Sequence, residues 1–336
     1  MKESQSLLEQ LGGEVGCLRL ATEFYSRVAE NTDLKPLFPG KSFRCATEEF
    51  SAFLIQFLDG DESRTQYRWW LSLKESHGRF QISEHQRSVW LSLMREAIHA
   101  VLESPETQQA LQQFFLTASA YIVGKAEVEI DEPELKQRWE HQKTLDHIVE
   151  CLIAGRDSQA MELSLQFLAK PGVFVGILAR MMEMGREGLN DFVLARVMED
   201  DKIKNHAYNG RFLIHYASGY RCLPVVQQLL RGGVNPDTLD SGGHTALYRT
   251  PSTRASSDTA SVVEALVQAG ATVDHSGGVI QATALHQAAR FGDLFAARAL
   301  IAAGANPRAR DKKGLTPIDR AVSSKRRQVA EYLASI

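Results

Sequence analysis

Apolar residues recur every three or four positions along most of the chain, and stretches that alternate with a period of two are sparse. This spacing puts apolar side chains on one face of a helix, so it predicts a largely helical protein. In the first third of the chain the predicted apolar faces span Cys17 to Val28, Ala46 to Phe57, Val89 to Val101 and Ala110 to Ile122. Ser83 with Gln86 predicts a capping box, and Ser104 followed by Pro105 predicts another helix start.

The last third of the chain contains a short motif four times. The four copies are Phe212 to His215, Thr245 to Tyr248, Thr283 to His286 and Thr316 to Asp319, spaced by 33, 38 and 33 residues. The longer middle interval implies an insertion of five residues, for which Pro251 to Asp258 is the expected place. Between the copies, Gly233, Gly270 and Gly304 follow predicted helices, where a left-handed cap favours glycine.

This period resembles that of ankyrin repeats, which is 33 residues. The resemblance covers about Asn209 to Ile336 and implies a stack of helix pairs that binds another protein, not a catalytic site. In that family the threonine and histidine of the repeated turn bond to each other and to the backbone, and Thr283 and His286 match these positions. His215 and His286 are therefore interpreted as turn-stabilising residues and not as metal ligands.

An acidic stretch from Glu127 to Glu134 separates the first predicted helices from the rest of the chain. We therefore predict a first domain over residues 1–127, a helical connector over 128–208 and the repeats over 209–336. Helical periodicity continues from Leu135 to Asp201. These helices are either decayed repeats or a helical cap, and the sequence leaves both alternatives open.

The first domain contains a series of short motifs in a fixed order. They are Leu11-Gly12-Gly13-Glu14, Phe24-Tyr25, Leu37-Phe38-Pro39, Phe53-Leu54, His77-Gly78-Arg79-Phe80 and Val89-Trp90-Leu91. This order and spacing resembles the second group of truncated haemoglobins over about Leu7 to Val123. The resemblance implies an all-α two-on-two helical sandwich around a haem. The chain departs from that family at Asp59-Gly60-Asp61 and in the aromatic run Tyr67-Arg68-Trp69-Trp70.

The resemblance also implies a role for individual residues. His77 matches the histidine that ligates the haem iron, and Tyr25 and Trp90 match the residues that contact a bound gas. Phe38 matches an aromatic residue that packs on the porphyrin. Ala46, Phe50 and Phe80 complete the predicted haem-binding residues, with His77 as the metal ligand.

The chemistry of haem agrees with these residue types. Iron in a porphyrin needs one neutral imidazole on one side and an open position for a diatomic ligand on the other. Hydrogen-bond donors such as a phenol and an indole stabilise a ligand that carries partial negative charge. His85 and His99 are interpreted as solvated helix residues and not as further iron ligands.

Composition and charge narrow the functional classes. The formal net charge of −3 over 336 residues provides no strong positive field, so nucleic acid is not expected as a partner. Four scattered cysteines suggest a reducing compartment, and a polar first segment is not a signal peptide, so we expect a cytoplasmic protein. No apolar run is long enough for membrane insertion.

The leading hypothesis is a haem protein that binds or senses a diatomic gas, oxygen before nitric oxide or carbon monoxide, and docks a protein partner through its repeats. One alternative is a haem-dependent peroxidase or nitric oxide dioxygenase that the repeats localise; no catalytic residue is assigned for it. The other alternative is a scaffold protein that has lost its haem.

Overall fold

The computed structural model describes residues 6–38, 42–59, 71–78 and 80–336. It is largely helical, and its described strands are two short ones, so the all-α prediction is confirmed. The chain divides into two compact units, Met1–Arg156 and Asp157–Ile336. Pro39, Arg79, residues 60–61 and the aromatic run at 67–70 lie outside the described residues.

The first unit is built from seven described α-helices. They are α1 Leu7–Leu11, α2 Gly13–Glu30, α3 Arg44–Asp59, α4 Leu73–His77, α5 Glu84–Val101, α6 Pro105–Ile122 and α7 Pro133–Ile153, with a 3-10 turn at Lys35–Leu37. Helix α2 packs against both α3 and α5, and α5 packs against α6. Their apolar faces meet in one core that contains the fully buried Phe24 and Phe114.

The predicted helix starts in this unit are confirmed. Ser83 caps α5 and forms the capping box with Gln86, in which each side chain bonds the backbone of the other residue. Ser104 caps α6 by accepting a hydrogen bond from the backbone of Thr107, and Pro105 is the first residue of the helix. These caps satisfy backbone N–H groups that have no partner inside the helix.

The second unit contains eleven described α-helices and one short antiparallel hairpin. The helices are α8 Asp157–Ser164, α9 Pro171–Met184, α10 Glu187–Glu199, α11 Leu213–Gly219, α12 Leu223–Arg231, α13 Ala246–Arg249, α14 Ser257–Gln268, α15 Ala284–Phe291, α16 Leu294–Ala302, α17 Pro317–Ser323 and α18 Arg327–Ala334. Strands β1 Ala207–Tyr208 and β2 Arg211–Phe212 pair with each other. Two 3-10 turns lie at Leu165–Phe167 and Ile203–Asn205.

The repeat pattern predicted from the sequence matches the helix pairs from α11 to α18. Helices α11, α13, α15 and α17 each begin one residue after the start of a motif copy, and each packs against the next one of this series. The residues 251–256 of the predicted insertion connect α13 to α14. Gly233, Gly270 and Gly304 all have positive φ, between 81° and 94°, which confirms the predicted left-handed caps.

The turn histidines have the bonding expected of them. The Nε2–H of His286 donates to the carbonyl oxygen of Leu315 in the next repeat, at 3.0 Å. Its Nδ1 lies 2.8 Å from the hydroxyl oxygen of Thr283 and also accepts the Thr283 backbone N–H. Nε2 of His215 likewise contacts the carbonyl oxygens of Thr238 and His244, while its Nδ1 lacks the threonine contact that His286 makes, since Phe212 stands at that position. Each histidine therefore links its own repeat to the following one.

The helices of the predicted connector, residues 128–208, are divided between the two units. Helix α7 packs against α4 in the first unit. In the second unit, α9 packs against α11 and α10 packs against α12, which is the order in which successive repeats pack. Helices α9 and α10 thus stand where a preceding repeat would stand. The domain bounds 1–127, 128–208 and 209–336 stay predictions.

Within the described ranges, none of the helices combines the length and the apolar character that crossing a bilayer requires.

Candidate functional site

The first unit encloses a cavity of about 460 Å³. Residues from α2 to α6 line it, and most of them are aromatic or aliphatic. All seven residues predicted from the sequence to bind haem are among them: Tyr25, Phe38, Ala46, Phe50, His77, Phe80 and Trp90. The structure therefore brings together side chains that are up to 65 positions apart in the chain.

His77 is the last residue of α4, a helix of a single turn. Its Nδ1 lies 2.8 Å from the carbonyl oxygen of Leu73 and 2.9 Å from the hydroxyl oxygen of Ser76. A carbonyl oxygen only accepts hydrogen bonds, so the Leu73 contact places a proton on Nδ1. In the neutral ring Nε2 then carries the lone pair, which is the arrangement that metal-ligating histidines adopt.

Three of the predicted residues lie on the two long helices at the start of the unit. Tyr25 is on α2, and Ala46 and Phe50 are one helical turn apart on α3. The Tyr25 ring meets the Phe38 ring edge to face, with centroids 5.5 Å apart, and lies 6.2 Å from the Phe50 ring. These rings pack against one another and form one side of the cavity.

The two hydrogen-bond donors that the sequence predicts for a gas ligand are the Tyr25 hydroxyl and the Trp90 indole N–H. Both residues line the cavity, and neither donor bonds to another residue within the described ranges. Burial, and after it the nearby Glu49 carboxylate, raises the pKa of the Tyr25 phenol far above its usual range. The hydroxyl therefore keeps its proton at neutral pH and stays a donor.

Phe38 and Phe80 lie near His77. The centroid of the Phe80 ring is 6.4 Å from the His77 ring and 6.4 Å from the Phe38 ring. Phe38 follows the 3-10 turn, while Phe80 comes three residues after the histidine. Phe80 thus lies between His77 and Phe38 in a series of neighbouring rings along the cavity.

Several lining residues were not predicted from the sequence. Among the described lining residues, Arg87 and Glu49 carry charged side chains, and Phe43 stacks on Tyr25 with centroids 5.8 Å apart. Arg87 also donates to the Ser119 hydroxyl and the Leu116 carbonyl oxygen. Its position three residues before Trp90 on the same helix face is the sequence signal that could have identified it.

The other histidines of this unit's long helices do not line the cavity. His85 is exposed and lies 3.2 Å from the Asp33 carboxylate. His99 is also exposed and contacts the Gln112 amide. Both therefore occupy solvated positions, as the sequence suggested.

The volume of this cavity is typical of a cofactor site, and the chemistry of its lining fits a haem. The volume lies in the range of about 300–1,000 Å³ that small-molecule and cofactor sites occupy. The apolar rings suit the faces of a porphyrin, and the Arg87 guanidinium, which also pairs with the Glu84 carboxylate at 3.1 Å, carries charge opposite to porphyrin carboxylates. His77 offers an imidazole whose tautomer the Leu73 carbonyl oxygen fixes.

Comparison with known proteins identifies two family matches in the chain. Residues 6–121 match the family model of the bacterial-like globins. Residues 285–334 match the family model of ankyrin repeats in many copies. The globin match covers helices α1 to α6 up to Tyr121 and ends before α7 begins.

Two individual relatives are similar to parts of the chain. The group 2 truncated hemoglobin YjbI of Bacillus subtilis (strain 168) is 32% identical over 118 residues, which are 35% of this chain and 88% of that protein. The palmitoyltransferase Hip14 of Drosophila melanogaster is 37% identical over 111 residues, which are 33% of this chain but 17% of that protein. The chain therefore spans less than a fifth of the length of the palmitoyltransferase. Through residues 6–121 the chain belongs to the bacterial-like globin family, and it carries ankyrin repeats at its C-terminal end.

Proposed function

We propose that this protein binds haem in its first unit, binds a diatomic gas there, and docks another protein through its ankyrin repeats. The observation that carries the proposal is the meeting of all seven predicted residues at one cavity, with His77 held by the Leu73 carbonyl oxygen. The similarity to a group 2 truncated hemoglobin supports the same function.

The residues divide into those that hold the cofactor and those that act on its ligand. When bound, haem supplies an iron with one open coordination position for a gas molecule. His77 provides the protein ligand through Nε2, and Phe38, Phe50 and Phe80 provide apolar surface for the ring. Arg87 attracts the carboxylates of the cofactor.

Tyr25 and Trp90 give the site its preference among gases. Both are donors, so they favour a ligand with partial negative charge, and oxygen binding is the preferred case. Ala46 has no polar side chain, so at that position of α3 nothing competes with the two donors. Slow release of oxygen follows from this arrangement.

The repeats provide the second part of the function. Ankyrin repeats bury a continuous core between neighbouring helix pairs and leave an extended surface for a protein partner. The cytoplasm is the proposed location, and it rests on the sequence argument alone.

Reconstitution with haem tests the proposal. Titration of hemin into the haem-free full chain should give a Soret band that saturates at one haem per chain. His77→Ala should abolish tight binding and the band, whereas His85→Ala, the matched control at an exposed histidine, should leave both unchanged. A wild-type chain without a Soret band contradicts the proposal and favours the scaffold alternative.

A further inference from the structure

The helix that carries His77 is too short to be stable by itself. Helix α4 has five residues, and a single turn fixes several backbone dihedrals for few hydrogen bonds. Its start is capped by the Ser72 hydroxyl, which accepts the Glu75 backbone N–H at 3.0 Å. The orientation of the His77 ring therefore depends on what holds the segment from Leu71 to Lys74.

Helix α7 holds this segment by two hydrogen bonds from its buried face. The Gln142 side-chain amide donates to the Leu71 carbonyl oxygen at 2.9 Å. The Asp146 carboxylate accepts the Lys74 backbone N–H at 3.4 Å. Both side chains are buried, at 2% and 0% relative exposure, so water does not compete for these contacts.

The Asp146 carboxylate lies among several polar groups. Burial raises its pKa, while the nearby hydroxyls of Ser72 and Tyr121 and the hydrogen bond from the Lys74 amide work in the opposite direction. A partly exposed ion pair extends the contact, since Nζ of Lys74 lies 3.1 Å from Oε1 of Glu150 and 4.3 Å from the centre of the Tyr121 ring. Residues from Gln142 to Glu150, about two turns of α7, thus contact the start of α4.

A buried tryptophan anchors α7 in the first unit. Trp139 is 2% exposed, and its ring meets those of Phe114 and Tyr121 edge to face at 5.9 and 5.2 Å. The indole N–H donates to the Glu127 carboxylate at 2.8 Å. The helix that holds α4 is therefore itself fixed to α6, which also lines the cavity.

The contacts form a continuous path to the proposed iron ligand. Gln142 and Asp146 hold the residues on both sides of Leu73, and the Leu73 carbonyl oxygen receives the Nδ1–H of His77. We propose that Gln142 and Asp146 are positioning residues that orient the imidazole of His77 for haem. This inference rests on the proposed function, and it assigns a role to a helix beyond the globin match, which ends at residue 121.

The test uses the full chain in four variants. Asp146→Asn keeps an acceptor and loses the charge, Asp146→Leu loses both, and Gln142→Leu loses the donor. Glu140→Gln is the matched control, because Glu140 is on the same helix and makes an exposed ion pair with Lys143. Two readouts are measured: the iron–imidazole stretching band of the ferrous protein by resonance Raman spectroscopy, and amide hydrogen exchange of residues 71–78.

The expected changes in exchange rate and in the iron–imidazole band differ in size among the four variants. Exchange in residues 71–78 should be about tenfold faster in Asp146→Leu and Gln142→Leu, less so in Asp146→Asn, and unchanged in Glu140→Gln. The iron–imidazole band should shift or broaden in the same order. If Asp146→Leu fails to fold, Asp146→Asn and Gln142→Leu still decide the matter.

Failure of this inference can be separated from failure of the proposed function. A chain that binds haem through His77 but shows wild-type exchange and an unchanged band in Asp146→Asn and Gln142→Leu overturns the positioning role alone. A wild-type chain that binds no haem overturns the proposed function, and the positioning of an iron ligand with it.

Discussion

At the scale of single residues, the chemistry of the site depends on which proton each group holds. The Leu73 carbonyl oxygen keeps a proton on Nδ1 of His77, so the neutral ring carries its lone pair on Nε2. Burial keeps the Tyr25 phenol protonated, so it acts as a donor. The site thus presents a basic nitrogen from α4 and two neutral donors from α2 and α5 to one cavity.

Replacement of either donor should speed the release of oxygen. One hydrogen bond contributes about 0.5–1.5 kcal/mol, so Tyr25→Phe and Trp90→Phe should each raise the dissociation rate by about two- to tenfold. Stopped-flow measurement of oxygen dissociation from the ferrous protein checks this, with Tyr332→Phe in the last repeat as the control. Rates equal to that of the wild type would remove both residues from the ligand site.

The site residues could be predicted where they belong to the ordered series of short motifs in the first domain. All seven predicted side chains line the cavity, while their roles stay predictions. Arg87 and Glu49 were missed because a charged residue on a helix is normally solvated, although Arg87 shares a helix face with the predicted Trp90. Phe43 was missed because periodicity does not separate a core aromatic from one beside a ligand.

At the scale of elements, the repeats show how a local pattern determines a structure. His215 and His286 each bond to the backbone of the next repeat. A second set of contacts occurs twice, around Asp240 and around Asp311. The Asp311 carboxylate accepts the backbone N–H groups of Lys313 and Leu315 and pairs with Arg320. Asp240 bonds likewise to two backbone N–H groups and to Arg249, nine residues further on. The contacts of Asp240 and Asp311 stay within nine residues of the chain. Because such contacts are local in sequence, the sequence pattern predicted the repeats well.

The buried histidines make the stability of the repeats depend on pH. Burial lowers the pKa of His215, His244 and His286 below the ordinary value of 6.5. Below about pH 6.5 the unfolded chain binds protons that the folded repeats do not, so stability is complete above this pH and falls as the pH decreases. The slope is at most about 1.4 kcal/mol per pH unit for each histidine.

Urea unfolding at pH 7.5 and pH 5.5 checks this dependence. Circular dichroism follows the whole chain, while tryptophan fluorescence follows the first unit alone, since the four tryptophans lie between residues 69 and 139. The pair of substitutions His215→Asn and His286→Asn should reduce the difference between the two pH values, and His206→Asn at an exposed histidine should not. An equal difference in all three proteins would contradict the assigned protonation states.

At the scale of the whole molecule, the chain combines a unit that matches the bacterial-like globins with a unit that carries ankyrin repeats. The sequence placed α7 in the connector over residues 128–208, because the acidic stretch before it is typical of a boundary. In the structure this helix covers α4 and α6 of the first unit. Periodicity shows that a helix has an apolar face, but it does not show which surface covers that face, and the sequence therefore left the role of α7 open.

Removal of α7 should destabilise the first unit. A chain of residues 1–127 loses Trp139 from a buried aromatic cluster, a change that by itself costs about 3–5 kcal/mol, whereas a chain of residues 1–156 keeps it. Urea unfolding followed by tryptophan fluorescence should give a clearly lower midpoint for the shorter chain. Equal midpoints would mean that α7 adds nothing to this unit.

The central claim is that the imidazole of His77 binds the haem iron. The most direct measurement is the spectrum of His77→Gly with haem, without and with added imidazole. His77→Gly should lose the wild-type Soret band, and free imidazole, which can enter the space left by the side chain, should restore it. A wild-type spectrum in His77→Gly without imidazole would mean that His77 does not bind the haem iron.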